Sequence, residues 1–197
     1  MRVLVTYGST RGGTEQLAAV VADDLRDEGF PVDLLPPRKV RALDEYGAVI
    51  VGGALYASRW HKEARRFVRR HARELRQRPT YFFSSGPLDD SASQAPIPEV
   101  KGVHALMRRV NARDHVTFGG RLAPDAKGFP ASAMAKKKAG DWRDPAQVKA
   151  WVHGIAIQLA PGSGDGPAPG DGPAPGPGDG HAPGDGHAPG PGPDAVT

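Results

Sequence analysis

Several chemistries are excluded by what the 197-residue sequence lacks. It contains no cysteine, which excludes disulfides, thiolate metal sites and thiol catalysis. No apolar run approaches the roughly 20 residues needed to span a bilayer. Residues 1–7 begin a strand directly, without the charged and then apolar segments of a secretory signal. From these absences we expect a soluble, cytoplasmic protein.

Residues 161–197 lack lysine, arginine, aromatic residues and large aliphatic residues except Val196. They contain 12 Gly, 10 Pro and 5 Asp instead, in near-repeats such as Gly-Asp-Gly-Pro-Ala-Pro-Gly. Such a segment buries too little apolar surface to offset the entropy cost of ordering its backbone. We therefore predict a disordered Pro/Gly-rich tail at 161–197 and one folded domain at 1–160. The two tail histidines, His181 and His187, are too few to predict a metal site.

The charge is divided unevenly between these two parts. All 26 Lys and Arg residues fall in the first 160 residues, whereas 5 of the 22 acidic residues fall in the tail, so the domain carries a net charge of +9. This excess favours anionic partners, which include nucleic acids, acidic proteins and carboxylate-bearing substrates. The charge alone does not choose among them.

Apolar, β-branched runs alternate with helical patterns along the first 160 residues. Strands are predicted at 2–7, 31–35, 48–53, 80–84 and 115–119, and helices at 15–28, 61–77, 101–110 and 145–159. The connection at 36–46, which contains Pro36-Pro37, is predicted to form a short or irregular helix. Because alternating strands and helices build parallel sheets, we predict an α/β fold with a doubly wound five-stranded parallel sheet and helices on both faces.

The first predicted strand ends in a loop of small and hydroxyl-bearing residues that leads directly into the first helix. The loop reads Gly8-Ser-Thr-Arg-Gly-Gly-Thr14. Backbone N–H groups, Ser/Thr hydroxyls and a helix N-terminus together suit a phosphate, because the helix dipole favours an anion there. Glycine allows the backbone to approach such a ligand closely. The alternative is a tight strand-to-helix turn that Thr14 caps, without a ligand.

Two further loops, 53–61 and 84–92, follow apolar strands and are expected at the same sheet edge, where doubly wound sheets bind ligands. The rings of Tyr56 and Trp60 in the first loop suit a flat aromatic ligand, although loop aromatics also pack on the protein. The second loop is rich in small and polar residues. The candidate binding residues are Ser9, Thr10, Arg11, Gly12, Gly13, Thr14, Ala54, Leu55, Tyr56, Ala57, Trp60, Ser84, Ser85, Gly86, Pro87, Leu88 and Asp89.

Three common phosphate-handling designs are missing from the sequence. A P-loop requires a lysine directly after the second glycine of its motif, but Thr14 and Glu15 follow Gly13 in this sequence. The Gly-x-Gly-x-x-Gly motif of a dinucleotide site is absent after the first strand. Arg38 and Lys39 after the second strand could still contact a 2′-phosphate. A phosphoryl-receiving domain needs an aspartate at the end of the third strand, where two glycines stand. These absences favour a mononucleotide ligand.

The first loop resembles that of the flavodoxin family. Ser9-x-x-Gly12-x-Thr14-Glu15 is similar to the family's phosphate-binding loop, with Arg11 where flavodoxins usually carry a further Ser or Thr. Within this family the chain looks most like the menaquinone-dependent protoporphyrinogen oxidase group. The similar stretches are Ser9–Thr14, Val51–Tyr56, Phe67–Ala72, Phe82–Ser84 and Asp141-Trp142 with the final helix. The similarity covers most of the predicted domain and none of the tail.

This resemblance implies a flavodoxin-like fold that binds FMN. The phosphate would contact the loop at 9–14, and the flavin ring would lie between 54–60 and 84–89. The flavin would perform the redox chemistry, with no side chain as an obligatory acid or base. The implied protein is an FMN-dependent oxidoreductase of haem biosynthesis, whose partner is a redox protein or a quinone- or porphyrin-type small molecule. A flavodoxin-like electron carrier is the alternative.

Two basic segments bear on the choice of partner. Residues 120–140 are shorter and less apolar than the insertion of the oxidase group, which disfavours porphyrin oxidation at a membrane, and the lysines at 136–138 allow at most peripheral contact with acidic lipids. The predicted helix 61–77 is strongly basic. A solvated face, or docking of an acidic redox partner, is favoured over nucleic-acid binding. A cofactor-free binding domain that uses this helix remains an alternative of another class, and His61 at its start is a candidate substrate contact.

Overall fold

A computed structural model of the chain describes residues 1–126 and 139–160. The strands are β1 (Val3–Gly8), β2 (Val32–Leu35), β3 (Ala48–Tyr56), β4 (Arg59–Trp60), β5 (Thr80–Ser85), β6 (Asp114–Phe118), β7 (Arg121–Leu122) and β8 (Gly140–Asp141). The helices are α1 (Gly13–Asp27), α2 (Lys62–Arg70), α3 (Ala72–Leu75), α4 (Ser91–Gln94), α5 (Lys101–Val110) and α6 (Pro145–Leu159). The predicted tail and the lysines at 136–138 lie outside the described residues, so the division into domain and disordered tail stays a prediction.

Five of the strands form a parallel sheet in the order β2-β1-β3-β5-β6. β1 is central, because Val3 pairs with both Val32 of β2 and Ala48 of β3. The register of β3 on β5 runs from Val49 opposite Thr80 to the end of β5. The predicted doubly wound, five-stranded parallel sheet is therefore confirmed, and its strand order reverses between β1 and β3.

Helices cover both faces of this sheet, as predicted. Leu17 and Val21 of α1 and Val152 of α6 are buried in one core cluster, whereas Phe67 of α2 and Leu106 of α5 are buried in the other. Strand side chains alternate between the faces, so neighbouring strand residues enter different cores. Complete burial of each large aliphatic or aromatic side chain contributes roughly 1.5–3 kcal/mol to folding.

The connection between β2 and β3 forms turns, and the predicted helix over 36–46 is wrong. Pro37 restricts the preceding residue to extended conformations, and neither proline of Pro36-Pro37 has an N–H for a helical hydrogen bond. Val40, Leu43 and Tyr46 are nevertheless buried in the same core cluster as α2 and α5. The Arg78 guanidinium secures the segment by donating to the carbonyl oxygens of Leu43 and Tyr46.

The predicted helix over 61–77 is divided into α2 and α3 at His71. The His71 side chain is buried, with its ring centroid 4.9 Å from that of Phe67 and its Nδ1 3.3 Å from a carboxylate oxygen of Glu74. The apolar stripe of the sequence therefore correctly placed this histidine against the core. None of the helices in the described ranges has the length and apolar character to cross a membrane.

Candidate functional site

The loops that follow β1, β3 and β5 meet at the carboxyl edge of the sheet and line a cleft of about 970 Å³. This volume is in the range of small-molecule and cofactor pockets, about 300–1,000 Å³. Gly12 and Ser84 are the two predicted binding residues that do not line the cleft. The predicted residues that line it are Ser9, Thr10, Arg11, Gly13, Thr14, Ala54, Leu55, Tyr56, Ala57, Trp60, Ser85, Gly86, Pro87, Leu88 and Asp89.

Helix α1 begins at this cleft without a side-chain cap. Gly12 precedes it with φ of +80°, a left-handed conformation that favours glycine, and its N–H donates to the Ser9 hydroxyl at 3.1 Å. Glu15 in the first turn accepts from the Tyr7 hydroxyl at 2.6 Å and does not cap the helix. The capped turn that Thr14 would have formed is therefore not observed. The N–H groups of the first turn, which lack partners within the helix, suit an external anion.

His61 connects the first loop to the start of α2. Its Nε2 lies 2.9 Å from the Thr10 hydroxyl oxygen, and its Nδ1 accepts from the Glu63 N–H at 3.3 Å. Burial lowers the pKa of His61, with the nearby cations acting in the same direction. A side chain on Gly8 would place its Cβ 2.6 Å from His61 Nδ1, so glycine at the end of β1 makes this close contact possible.

The second loop forms a hairpin of β3 and β4, which the sequence did not predict. Its turn residues Ala57 and Ser58 have φ of 46° and 57°, a conformation that costs a non-glycine residue roughly 1–2 kcal/mol. Tyr56 is 47% exposed, whereas Trp60 is 2% exposed and packs against Phe82 with ring centroids 5.0 Å apart. Tyr56 is therefore the accessible aromatic side chain of this loop, and the Trp60 ring belongs to the core below it.

The third loop contributes through residues after Ser84. The Ser84 side chain is fully buried and its hydroxyl lies 2.8 Å from His115 Nε2, so it sits beneath the cleft. Burial also lowers the pKa of His115. The Gly86 N–H donates to the Phe118 carbonyl at 2.9 Å, and Asp89 accepts from the N–H and hydroxyl of Ser91. These bonds hold the loop at the cleft wall.

Sequence reasoning missed the contribution of the loop that follows β6. Thr117 within β6 and Gly120, Arg121 and Leu122 after it line the cleft, and the Arg121 guanidinium donates to the Gln16 side chain on α1. The same sheet-edge rule that selected the first three loops also applies to this one. The other lining residues that were not predicted as binding residues are Ser58, Arg59, His61, Lys62, Ile97 and Val100. The cationic side chains among all lining residues give the cleft a positive character that suits an anionic ligand.

The chain folds into a doubly wound α/β domain with a cleft at the carboxyl edge of its sheet. The flavodoxin domain family model matches residues 4–135, which is more than half of the chain. The chain therefore belongs to the flavodoxin domain family.

Among curated proteins, the chain is similar to protoporphyrinogen IX dehydrogenase [quinone] of Escherichia coli strain K12. The two are 24% identical over 86 residues, which cover 43% of this chain and 48% of that protein. The match thus spans about half the length of this relative. Identical values are found for the enzymes of the Escherichia coli strains O6:H1 and O157:H7.

Solved structures show the same fold. The Streptococcus pneumoniae TIGR4 flavodoxin is 19% identical with a TM-score of 0.53, over 81% of this chain and 100% of that one. Oxidised flavodoxin 1 from Bacillus cereus is 13% identical with a TM-score of 0.54 over the same shares. Rubredoxin oxygen:oxidoreductase from Desulfovibrio gigas is 17% identical with a TM-score of 0.55, over 80% of this chain and 36% of that one.

Proposed function

We propose that this protein binds FMN in the cleft and acts as an FMN-dependent oxidoreductase. The observation that carries the proposal is the uncapped N-terminus of α1, which opens into a flavin-sized cleft among the hydroxyls of Ser9, Thr10 and Thr14. An anion at that position would accept hydrogen bonds from backbone N–H groups and would be stabilised by the positive end of the helix dipole. The family match and the flavodoxin structures support the same ligand.

The residues present fit the two ends of FMN. The phosphate would contact 9–14, where hydroxyls, N–H groups and the Arg11 guanidinium are the donors. The ring would lie between the hairpin and the loop after β5, where Leu55, Pro87 and Leu88 supply apolar contacts and Tyr56 an exposed ring. When bound, FMN supplies electron or hydride transfer. The chain binds the cofactor, orients it and restricts the access of water.

We further propose that the substrate side of the reaction involves a porphyrinogen-type molecule and a quinone. The support is the similarity to protoporphyrinogen IX dehydrogenase [quinone], together with the cations Arg59, Lys62 and Arg121 at the cleft, which would attract carboxylates. A flavodoxin-like electron carrier is the second candidate. It is favoured by the Streptococcus pneumoniae and Bacillus cereus flavodoxins, whose whole length this chain covers. A carrier would instead exchange electrons with a redox partner protein.

Flavin retention tests the cofactor proposal. The purified full-length protein is mixed with FMN, separated from the excess on a desalting column, and its visible absorption spectrum is recorded. We expect retained flavin absorbance, and its loss in the triple variant Ser9→Ala/Thr10→Ala/Thr14→Ala. The matched control is Ser93→Ala on α4, which removes an exposed hydroxyl outside the cleft and should retain flavin. A colourless wild-type protein would contradict the proposal and favour the cofactor-free binding domain.

Turnover separates the two redox candidates. The FMN-loaded protein is incubated anaerobically with protoporphyrinogen and a soluble menaquinone analogue, and porphyrin fluorescence is followed. An oxidase produces porphyrin in proportion to enzyme and quinone. A carrier is reduced by a flavodoxin reductase and passes electrons to cytochrome c, but produces no porphyrin above the rate without protein.

A further inference from the structure

The hydrogen bonds of His61 determine which of its ring nitrogens carries the proton. His61 immediately precedes α2, and its Nδ1 accepts from the Glu63 N–H at 3.3 Å. A ring nitrogen that accepts a hydrogen bond has no proton of its own. In the neutral imidazole the single proton must therefore be on Nε2.

That Nε2 proton points at Thr10. Nε2 lies 2.9 Å from Thr10 Oγ1, so the imidazole donates and the Thr10 oxygen accepts. Since Nε2 already carries a proton, the Thr10 hydroxyl cannot donate its own proton back to the ring. Thr10 also lines the cleft beside the start of α1, so its proton remains for an acceptor there. The arrangement favours an acceptor that brings no proton, such as a phosphate oxygen.

We infer that His61 is a positioning residue, which acts through Thr10 to direct the Thr10 hydroxyl as a donor to the phosphate of the bound flavin. This inference rests on the proposed FMN site and adds a residue that is 51 positions away from Thr10 along the chain. It also gives His61 a different role from the substrate contact expected from the sequence.

The surroundings of His61 keep its ring neutral and in place. Burial is the largest cause that lowers its pKa; Lys62, Arg65 and Arg38 lower it further, and Glu63 opposes them. Glu63 is itself engaged by the Arg38 guanidinium. The end of β1 lies directly against the ring, because a Cβ on Gly8 would approach Nδ1 to 2.6 Å. His61 Nδ1 therefore lies close to both the end of β1 and the first turn of α2.

Two substitutions of His61 separate its two hydrogen bonds. His61→Asn keeps an oxygen suited to capping α2 but is too short to reach Thr10. His61→Gln places an amide donor near the position of Nε2 and can rescue the contact with Thr10. We expect His61→Asn to weaken FMN binding about 5-fold, because the donor to Thr10 is lost, and His61→Gln less than about 2-fold, because an amide donor replaces it. The dissociation constant is measured by quenching of flavin fluorescence.

A double-mutant cycle with Thr10→Val tests whether His61 acts through Thr10. Thr10→Val keeps the side-chain shape and should weaken FMN binding about 10-fold or more. In that background His61→Asn should cause no further loss, because the hydroxyl that it directs is gone. Riboflavin, which lacks the phosphate, should bind equally to wild type and His61→Asn. Equal losses for His61→Asn in both backgrounds would overturn the inference.

The other outcomes distinguish this inference from the proposed function. If wild type binds FMN and His61→Asn binds it equally well, the role of His61 is wrong and the FMN site stands. If wild type binds no FMN, both are wrong. A measurement without flavin adds an independent criterion: ¹⁵N NMR of the imidazole nitrogens in the full-length protein should show the proton on Nε2, and a proton on Nδ1 would overturn the inference.

Discussion

Two 15-residue helices, α1 and α6, contribute to the same core but begin in different ways. α6 follows Asp144, whose carboxylate accepts from the N–H groups of Ala146 at 2.9 Å and Gln147 at 3.4 Å. α1 follows Gly12, which is left-handed and has no side chain to offer. Both helices face the same physical problem, because the first N–H groups of any α-helix lack partners within it.

This difference favours the proposed external anion at the start of α1. At α6 the sequence supplies its own anion, and a cap of that kind stabilises a protein by about 1 kcal/mol. At α1 no cap is present, although a serine or aspartate in place of Gly12 would be a common solution. The uncapped helix is the one that begins at the cleft. We therefore infer that the flavin phosphate takes at α1 the place that the Asp144 carboxylate takes at α6.

The largest expected effect comes from placing a fixed negative charge at each helix start. Thr10→Asp should weaken FMN binding by about 100-fold or more, because two like charges a few Å apart repel by several kcal/mol at the dielectric of a protein surface. The matched control is Ala146→Asp, which adds the same charge in the first turn of α6 and should leave FMN binding unchanged. Isothermal titration with FMN measures both. Equal affinities for the two variants would contradict the comparison.

Removing the α6 cap should affect stability and not binding. Asp144→Ala should lower the free energy of unfolding by about 1 kcal/mol, because two N–H groups lose their acceptor, whereas Asp144→Asn should retain most of it. Urea denaturation of the apo protein, followed by circular dichroism, gives the free energy. An FMN affinity that fell with Asp144→Ala would show that α6 contributes to the site and that the two helix starts are not independent.

A third helix, α2, begins with a cap that can be protonated, so its contribution to stability depends on pH. Its cap is the unprotonated Nδ1 of His61, whose pKa is lowered by burial, as is the pKa of His115. Between the lowered folded pKa and the ordinary value near 6.5, the unfolded chain binds more protons than the folded one. The free energy of unfolding should therefore decrease as the pH falls below about 6.5.

Variants assign this pH dependence to its source. His61→Asn should reduce the slope of stability against pH, because the amide cap does not titrate, and His115→Gln should remove a separate part of it. The slope is obtained from urea denaturation between about pH 5 and 7.5. A slope that is unchanged in both variants would mean that other groups carry the dependence.

The smallest expected effect concerns the charge on the α1 loop. Arg11→Gln should weaken FMN binding about 3-fold at low salt, with a difference that shrinks at high salt, because Arg11 is exposed and its interaction with phosphate is screened. Fluorescence titrations at two ionic strengths measure it. An affinity that is independent of both the substitution and the salt concentration would place the guanidinium in solvent.

The sheet could be predicted from the sequence because its strands are short apolar runs, separated by segments whose apolar residues recur at helical spacing. Periodicity is local information, so it does not need the tertiary structure. The sequence also predicted three of the loops that line the cleft, since the carboxyl ends of parallel strands meet at one edge. The sequence also predicted a helix N-terminus directly after the first loop, but the absence of a side-chain cap there was decided only by the structure.

What the sequence did not predict depends on contacts between distant segments. Ser84 was placed in the cleft, but β5 extends to Ser85 and turns Ser84 beneath the surface toward His115. Trp60 lines the cleft as expected, but its nearly complete burial and its packing on Phe82 through the β3–β4 hairpin were not predicted. The bond between Thr10 and His61 joins residues whose proximity only the packing of α2 against the end of β1 creates. Such pairings have no periodic signature.

Backbone amide NMR of the ¹⁵N-labelled full-length protein, titrated with FMN, tests whether the phosphate binds at the start of α1. We predict that the largest chemical-shift changes near a helix start occur at Gly13, Thr14 and Glu15, with little change at Ala146 and Gln147, because only α1 receives the phosphate. FMN binding that leaves the first turn of α1 unchanged, or that shifts both helix starts equally, would contradict phosphate binding at the start of α1.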